Sequence, residues 1–173
     1  DGLLGFLKPL PLPERIWKEI SMDFIDGLPE SNGCTTLLVI TDRLSKDVIL
    51  IPLKNTKPET VAENFLRYVV AYHWLPDAIV SDRGTQFTSH FWAILMKMMN
   101  ITRRLSTAWH PQTNRATEKM NSTVEAYLRA YIEWGQTNWA TLLPMATIAI
   151  KGREARSTRV SPFFLQHGYN VDL

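Results

Sequence analysis

The chain has 173 residues, 45% of them hydrophobic and 21% charged, which suits one sizeable globular domain and excludes a disordered chain. Its lone cysteine, Cys34, excludes an internal disulfide and any zinc site needing two or more thiolates, and apolar runs such as Leu37–Ile40 are too short to span a membrane. The net charge of +2 hides a split: residues 1–100 carry ten basic and twelve acidic side chains, residues 101–160 nine and four, which fits a solvated basic helix face or an anionic partner such as nucleic acid.

Residues 1–15, DGLLGFLKPLPLPER, hold Pro9, Pro11 and Pro13. Alternating prolines favour an extended chain, so this stretch reads as a linker or arm ahead of a domain over 16–173. In IWKEISMDFI (16–25), Ile20, Met22 and Phe24 alternate with Glu19, Ser21 and Asp23, the period of a strand. Turn residues follow in GLPESNG (27–33). TTLLVITD (35–42) and DVILIPL (47–53), linked by RLSK, predict an antiparallel hairpin that is apolar on both faces, as in a sheet covered on two sides. Lys54–Pro58 opens a helix that Asn55 or Thr56 can cap, with Val61, Phe65, Val69 and Tyr72 as its apolar stripe. LPDAIVSD (75–82) reads as a short buried strand ending in an acid, and 88–99 as a second helix. A strand is expected at 101–105, then the polar segment STAWHPQT (106–113). A long helix is expected over about 114–135, with Met120, Val124, Tyr127, Leu128 and Tyr131 on its buried face. Helices over about 138–150 and 161–168 close the chain. The order β-β-β-α-β-α-β-α-α predicts an α/β mixed sheet with helices on both faces.

Three acids stand out by position. Asp23 lies mid-strand between Met22 and Phe24, Asp82 ends a buried strand, and Glu118 sits in the first turn of the long helix. A carboxylate inside an apolar strand is costly unless it is paired or bound to metal. Three converging carboxylates repel one another unless cations lie between them, and hard divalent ions such as Mg²⁺ take oxygen ligands. Taken singly, each acid also reads as a strand-end acceptor or a complement to the helix dipole. The 35 residues between Asp82 and Glu118 are unremarkable as a bare pair.

WKEISMDFIDGLP, VSDRGTQFTSHFW, LSTAWHPQTNRATEKMN and SPFFLQHGY occur in this order. Together they resemble the integrase catalytic core of gypsy-type LTR retrotransposons, in the D,D(35)E polynucleotidyl transferase superfamily of retroviral integrases. The resemblance runs from about Leu10 to the C-terminus. It implies a ribonuclease H-like fold, a five-stranded mixed sheet flanked by helices. It implies that Asp23, Asp82 and Glu118 are the catalytic, metal-binding triad, holding two Mg²⁺ ions for which Mn²⁺ can substitute. It implies 3′-end processing of element DNA and strand transfer into host DNA. Beside the triad, Arg115, Lys119 and Asn121 on the first helical turns can reach DNA, as can His110 and Gln112 in the preceding loop. Arg83 and Gln86, just after Asp82, can contact DNA or pair with acids. Solvated surface side chains look the same in sequence for all seven.

The resemblance further implies a homo-oligomer, a nuclear site of action after a cytoplasmic particle, and no membrane. One cysteine and an end at VDL fit neither the zinc-binding N-terminal domain nor the C-terminal DNA- or chromatin-binding module of such polyprotein products, so the core alone is expected. Relatives usually read HPQTDGxTER where this chain reads HPQTNRATEK; Asn114-Arg115 removes a glycine's backbone freedom and adds a charge. IKGREARST (150–158) is likewise basic where relatives are Asn-rich. These departures motivate an alternative: a catalytically impaired or domesticated integrase-derived DNA-binding or interaction module. A ribonuclease H-type nuclease is disfavoured by the HPQT…TEK segment. Asp42, followed by Arg43, is expected in a structural ion pair. Trp17, Trp74, Trp92, Trp134 and Trp139 are expected in the core or a subunit interface, and Trp109, in the expected catalytic loop, is the candidate for base stacking.

Overall fold

A computed structural model of the chain describes residues 15–111, 122, 125–126, 128–130, 137–153, 161 and 167. The strands are β1 (Glu19–Ile25), β2 (Thr36–Asp42), β3 (Val48–Leu53), β4 (Ala78–Ser81) and β5 (Ala108–Pro111), in the sheet order β3-β2-β1-β4-β5. β2 runs antiparallel to both β1 and β3, while β4 runs parallel to β1 and β5 parallel to β4. The sheet is therefore mixed, as expected.

Strand β2 explains the layering. All seven of its residues are buried, because the two-residue period sends alternate side chains into two cores. Leu38 and Ile40 join Ile20, Met22, Phe65, Phe91 and Leu95 on one face; Leu37 and Val39 join Leu128, Trp139, Leu143 and Ile150 on the other. Helices α1 (Pro58–Phe65) and α3 (Thr85–Met98) cover the first face. Helix α4 (Trp139–Lys151) covers the second, together with the helical residue Leu128. Trp139 anchors α4 by donating from Nε1 to the Pro29 carbonyl at 2.5 Å.

Several local expectations change. Helix α1 starts at Pro58 with Lys57 as its N-cap, and no side chain caps it; Asn55 instead accepts from the Lys57 amide two residues on, at 3.0 Å. The helix continues through a π-helical turn (Leu66–Val70) into a short α2 (Ala71–His73). That wider turn rotates the apolar stripe: Val69 and Val70 are buried, while Tyr72 is 76% exposed. Trp74, just beyond α2, is 57% exposed and lies outside the core.

The strand expected at 101–105 is absent, and β5 forms at Ala108–Pro111 instead. The reason is how α3 ends. Asn100 takes a left-handed φ of 54°, its amide donates to the Lys97 carbonyl, and the Ile101 amide donates to the Met96 carbonyl. This is a Schellman closure, in which the apolar residue after the turn packs back on the helix. Ile101 thus belongs to the α3 cap, and Arg103 and Arg104 lie exposed beyond it. Pairing begins only where the Thr107 hydroxyl donates to the Pro76 carbonyl and the Ala108 amide to the Asp77 carbonyl.

Candidate active site

The register of the parallel pair β1 and β4 builds the site. Met22 stands opposite Ser81, so the next step along both chains sets Asp23 beside Asp82. Adjacent strands lie about 4.8 Å apart, close enough for two carboxylates to share a cation. Both acids lie where the parallel pairing of β1 and β4 ends, Asp23 within β1 and Asp82 just past β4, on the C-terminal side where ligands of α/β sheets gather. Asp23 is half-buried and pairs with Val39 of β2, which belongs to the α4-side core. It therefore sits on the face also covered by Leu128. Asp82 is exposed, one residue beyond β4. Strand β5 brings His110 to the same rim, opposite Val80 and half-buried. Gln86 lies exposed in the first turn of α3.

Arg83 turns towards protein. Its guanidinium lies over the Phe24 ring, 4.0 Å from the centroid, and 5.5 Å from that of Phe87. Nη2 is 3.7 Å from Asp26 Oδ2, while the Thr36 hydroxyl donates to Asp26 Oδ1 at 3.2 Å. The Arg83 amide donates to the Ser81 hydroxyl at 3.2 Å. Of the two roles open to Arg83 in sequence, pairing with an acid is the one seen. Sequence pattern gives Phe24 only a strand-face role and marks out neither Asp26 nor Phe87, yet all three lie inside the motifs WKEISMDFIDGLP and VSDRGTQFTSHFW.

Trp109 is a strand residue and not a loop residue: it is half-buried in β5, edge-on to Phe91 at 5.8 Å. Its ring packs against the α3-side core. Asp42 is structural, through hydrogen bonds: it is fully buried and accepts from the Trp17 amide (2.8 Å) and from the Ser45 amide and hydroxyl (2.9 and 2.6 Å). Arg43 pairs with Glu19 instead. Gln112, Arg115, Glu118, Lys119 and Asn121 lie outside the described residues, as do residues 1–14 and Trp134.

The donor set at Asp23 and Asp82 fits a hard divalent cation, being carboxylate oxygen alone. Among the described residues no group of three His, Cys, Asp or Glu side chains gathers, and Glu118, the third expected acid, lies outside them.

A family model for the integrase core domain matches residues 14–111, more than half of the chain and both strand-end acids. The chain belongs to the integrase core domain family. It is similar to the Transposon Tf2-3 and Tf2-4 polyproteins of Schizosaccharomyces pombe, 35% identical over 170 residues. That alignment covers 98% of this chain and 13% of each polyprotein, so the chain spans about an eighth of the length of these curated relatives. Among solved structures it is similar to the catalytic core domain of BIV integrase, with TM-score 0.58 and 18% identity, covering 85% of this chain and 91% of that one. It is also similar to the HTLV-2 integrase catalytic core domain in complex with magnesium, with TM-score 0.61 and 14% identity, covering 88% and 97%. The fold of this integrase core is thus the ribonuclease H-like one expected from its motifs.

Proposed function

We propose that this integrase core is the catalytic domain of an LTR retrotransposon integrase, a metal-dependent polynucleotidyl transferase that processes element DNA 3′ ends and joins them to target DNA. The observation that carries this reading is the register that pairs Met22 with Ser81 and so sets Asp23 and Asp82, the next residues of both chains, side by side where the parallel ladder ends. The likeness to Tf2 polyproteins and to an integrase core in complex with magnesium supports it.

Asp23, Asp82 and Glu118 would hold two Mg²⁺ ions, or Mn²⁺ in their place. Cations held there would supply Lewis-acid stabilisation of the charge that develops on the phosphodiester during displacement. The chain's own part is placement. β-Ladder bonds fix the Asp23 backbone, and Asp82 lies on the open rim where a phosphodiester can approach. His110 and Gln86 flank that rim and, with Gln112, Arg115, Lys119 and Asn121, form the DNA-facing set. Water is the nucleophile in the first step and the freed 3′-hydroxyl in the second, so no protein nucleophile is needed. Element ends and target DNA are the substrates. A homo-oligomer handles two ends, alongside the zinc-binding and the DNA- or chromatin-binding domains of the same polyprotein. The working compartment is the nucleus, after a cytoplasmic particle.

The test is resealing of a branched DNA that mimics the strand-transfer product, with Mg²⁺ or Mn²⁺. Asp82→Asn and Glu118→Gln are each expected to lower the rate at least about a hundredfold, the upper end of what losing an outer-sphere partner of a metal ligand costs. Equal product from wild type and variants sinks the reading. DNA binding with no turnover in the wild type favours the non-catalytic module that Asn114-Arg115 brings to mind.

A further inference from the structure

The Arg83 guanidinium joins three elements at the rim of the site. It covers Phe24 of β1 at 4.0 Å, approaches Phe87 of α3 at 5.5 Å, and faces Asp26, just past β1, at 3.7 Å. Phe24 and Phe87 meet edge to face with centroids 6.0 Å apart, so the cation closes an aromatic pair. Asp26 is tied to β2 through the Thr36 hydroxyl. The Arg83 side chain is about three-quarters covered. Asp82 is the immediate neighbour of Arg83 and lies one residue beyond β4, which ends at Ser81. Its backbone is therefore held from two sides: by β4 before it and by Arg83 after it.

We propose, resting on the metal-dependent reading above, that Arg83 is a positioning residue for Asp82: stacked on Phe24 and Phe87 and paired with Asp26, it pins the β4–α3 turn to the end of β1. Asp82 is thereby kept beside Asp23 in the geometry that a shared cation requires. A planar guanidinium can stack and pair at once, which an ammonium cannot do in the same way. A DNA-contact role makes a different demand, a guanidinium free to reach phosphate.

The test is Mn²⁺ binding to the 173-residue chain, read by electron paramagnetic resonance, with DNA affinity measured over a salt series. Arg83→Ala is expected to weaken Mn²⁺ binding about tenfold, the usual scale for losing an outer-sphere partner of a metal ligand, and Arg83→Lys to recover only part of it. DNA affinity and its salt slope are expected to stay at wild-type values. Asp26→Asn is expected to weaken Mn²⁺ binding by a smaller factor, and the double variant to fall short of the product of the two, because both act on one contact. Unchanged Mn²⁺ affinity in Arg83→Ala, or a salt slope reduced by about one, overturns the proposal, since one lost phosphate contact produces that reduction. If Arg83→Ala does not fold, as judged by its melting curve, Asp26→Asn decides alone, because Asp26 is mostly exposed; wild-type Mn²⁺ affinity there overturns it. Asp82→Asn in the same titration separates the two readings. If that variant binds Mn²⁺ as the wild type does, the metal site itself is wrong, whatever Arg83 does.

Discussion

Single residues show best why acids of one composition take different roles. Asp42 and Asp23 both lie in apolar strands, where an unpaired carboxylate is costly. In the structure the chain itself supplies Asp42 with three donors, so burial is compensated locally and nothing further is needed. Asp47 is a third case. Its Oδ1 accepts from the Val48 amide at 2.9 Å, while Oδ2 faces Lys151 Nζ at 3.4 Å, longer than a good hydrogen bond. Burial lifts its carboxyl above the ordinary 3.8, although Lys151 and the Val48 amide pull the other way. The folded chain therefore holds this proton more tightly than the unfolded chain does. The stability linked to the neutral carboxyl is complete below pH 3.8 and is lost as pH rises through the lifted value. Asp47→Asn fixes the neutral form, and the half-solvated Lys151 can turn to water. The melting temperature of the variant is expected to gain on the wild type as pH rises from about 4 to about 7. Parallel curves across that range would show that Asp47 titrates normally.

Elements were legible where one face or both were plainly apolar. Strands β1 to β4 fall within the expected runs, because alternation and β-branched content are read directly from side-chain types. Strand β5 was not, since an edge strand has little apolar signal: its four residues are all at least partly exposed. The more apolar Ile101 drew the expectation to the wrong run and serves the α3 cap instead. The π-helical turn was equally hidden, for an inserted residue changes rotation without changing composition. Phe91 joins these elements. It meets Phe65 of the first helix at 5.4 Å, Phe87 at 6.2 Å and Trp109 of β5 at 5.8 Å, and it is fully buried. Phe91→Ala is expected to cost about 3–5 kcal/mol in denaturant-induced unfolding, by lost burial and the cavity left behind. A loss below about 1 kcal/mol would mean that the α3 contact with β5 is loose.

At the scale of the molecule, layers and connectivity place the chemistry. Three antiparallel strands followed by crossover strands put β1 next to β4 in parallel, and only that arrangement sets Asp23 beside Asp82 across 58 intervening residues. The sequence motifs carried the identity of both acids, while their juxtaposition needed the register. The Arg83 contacts were invisible in sequence, because stacking on Phe24 and pairing with Asp26 depend on how the β4–α3 turn lies on β1. On the proposed reading the charge split follows the chemistry: the acidic N-terminal part holds Asp23 and Asp82, the proposed cation ligands, and the basic stretch from 101 holds most of the proposed DNA contacts. The central claim is that strand register makes Asp23 and Asp82 one cation site. It is tested most directly by crystals of the chain grown with Mn²⁺ and an anomalous difference map. A manganese peak is expected within about 2.5 Å of carboxylate oxygens from both Asp23 and Asp82, lost in Asp82→Asn crystals. Manganese held elsewhere, or bound by one of these acids and untouched by the other's substitution, would contradict it.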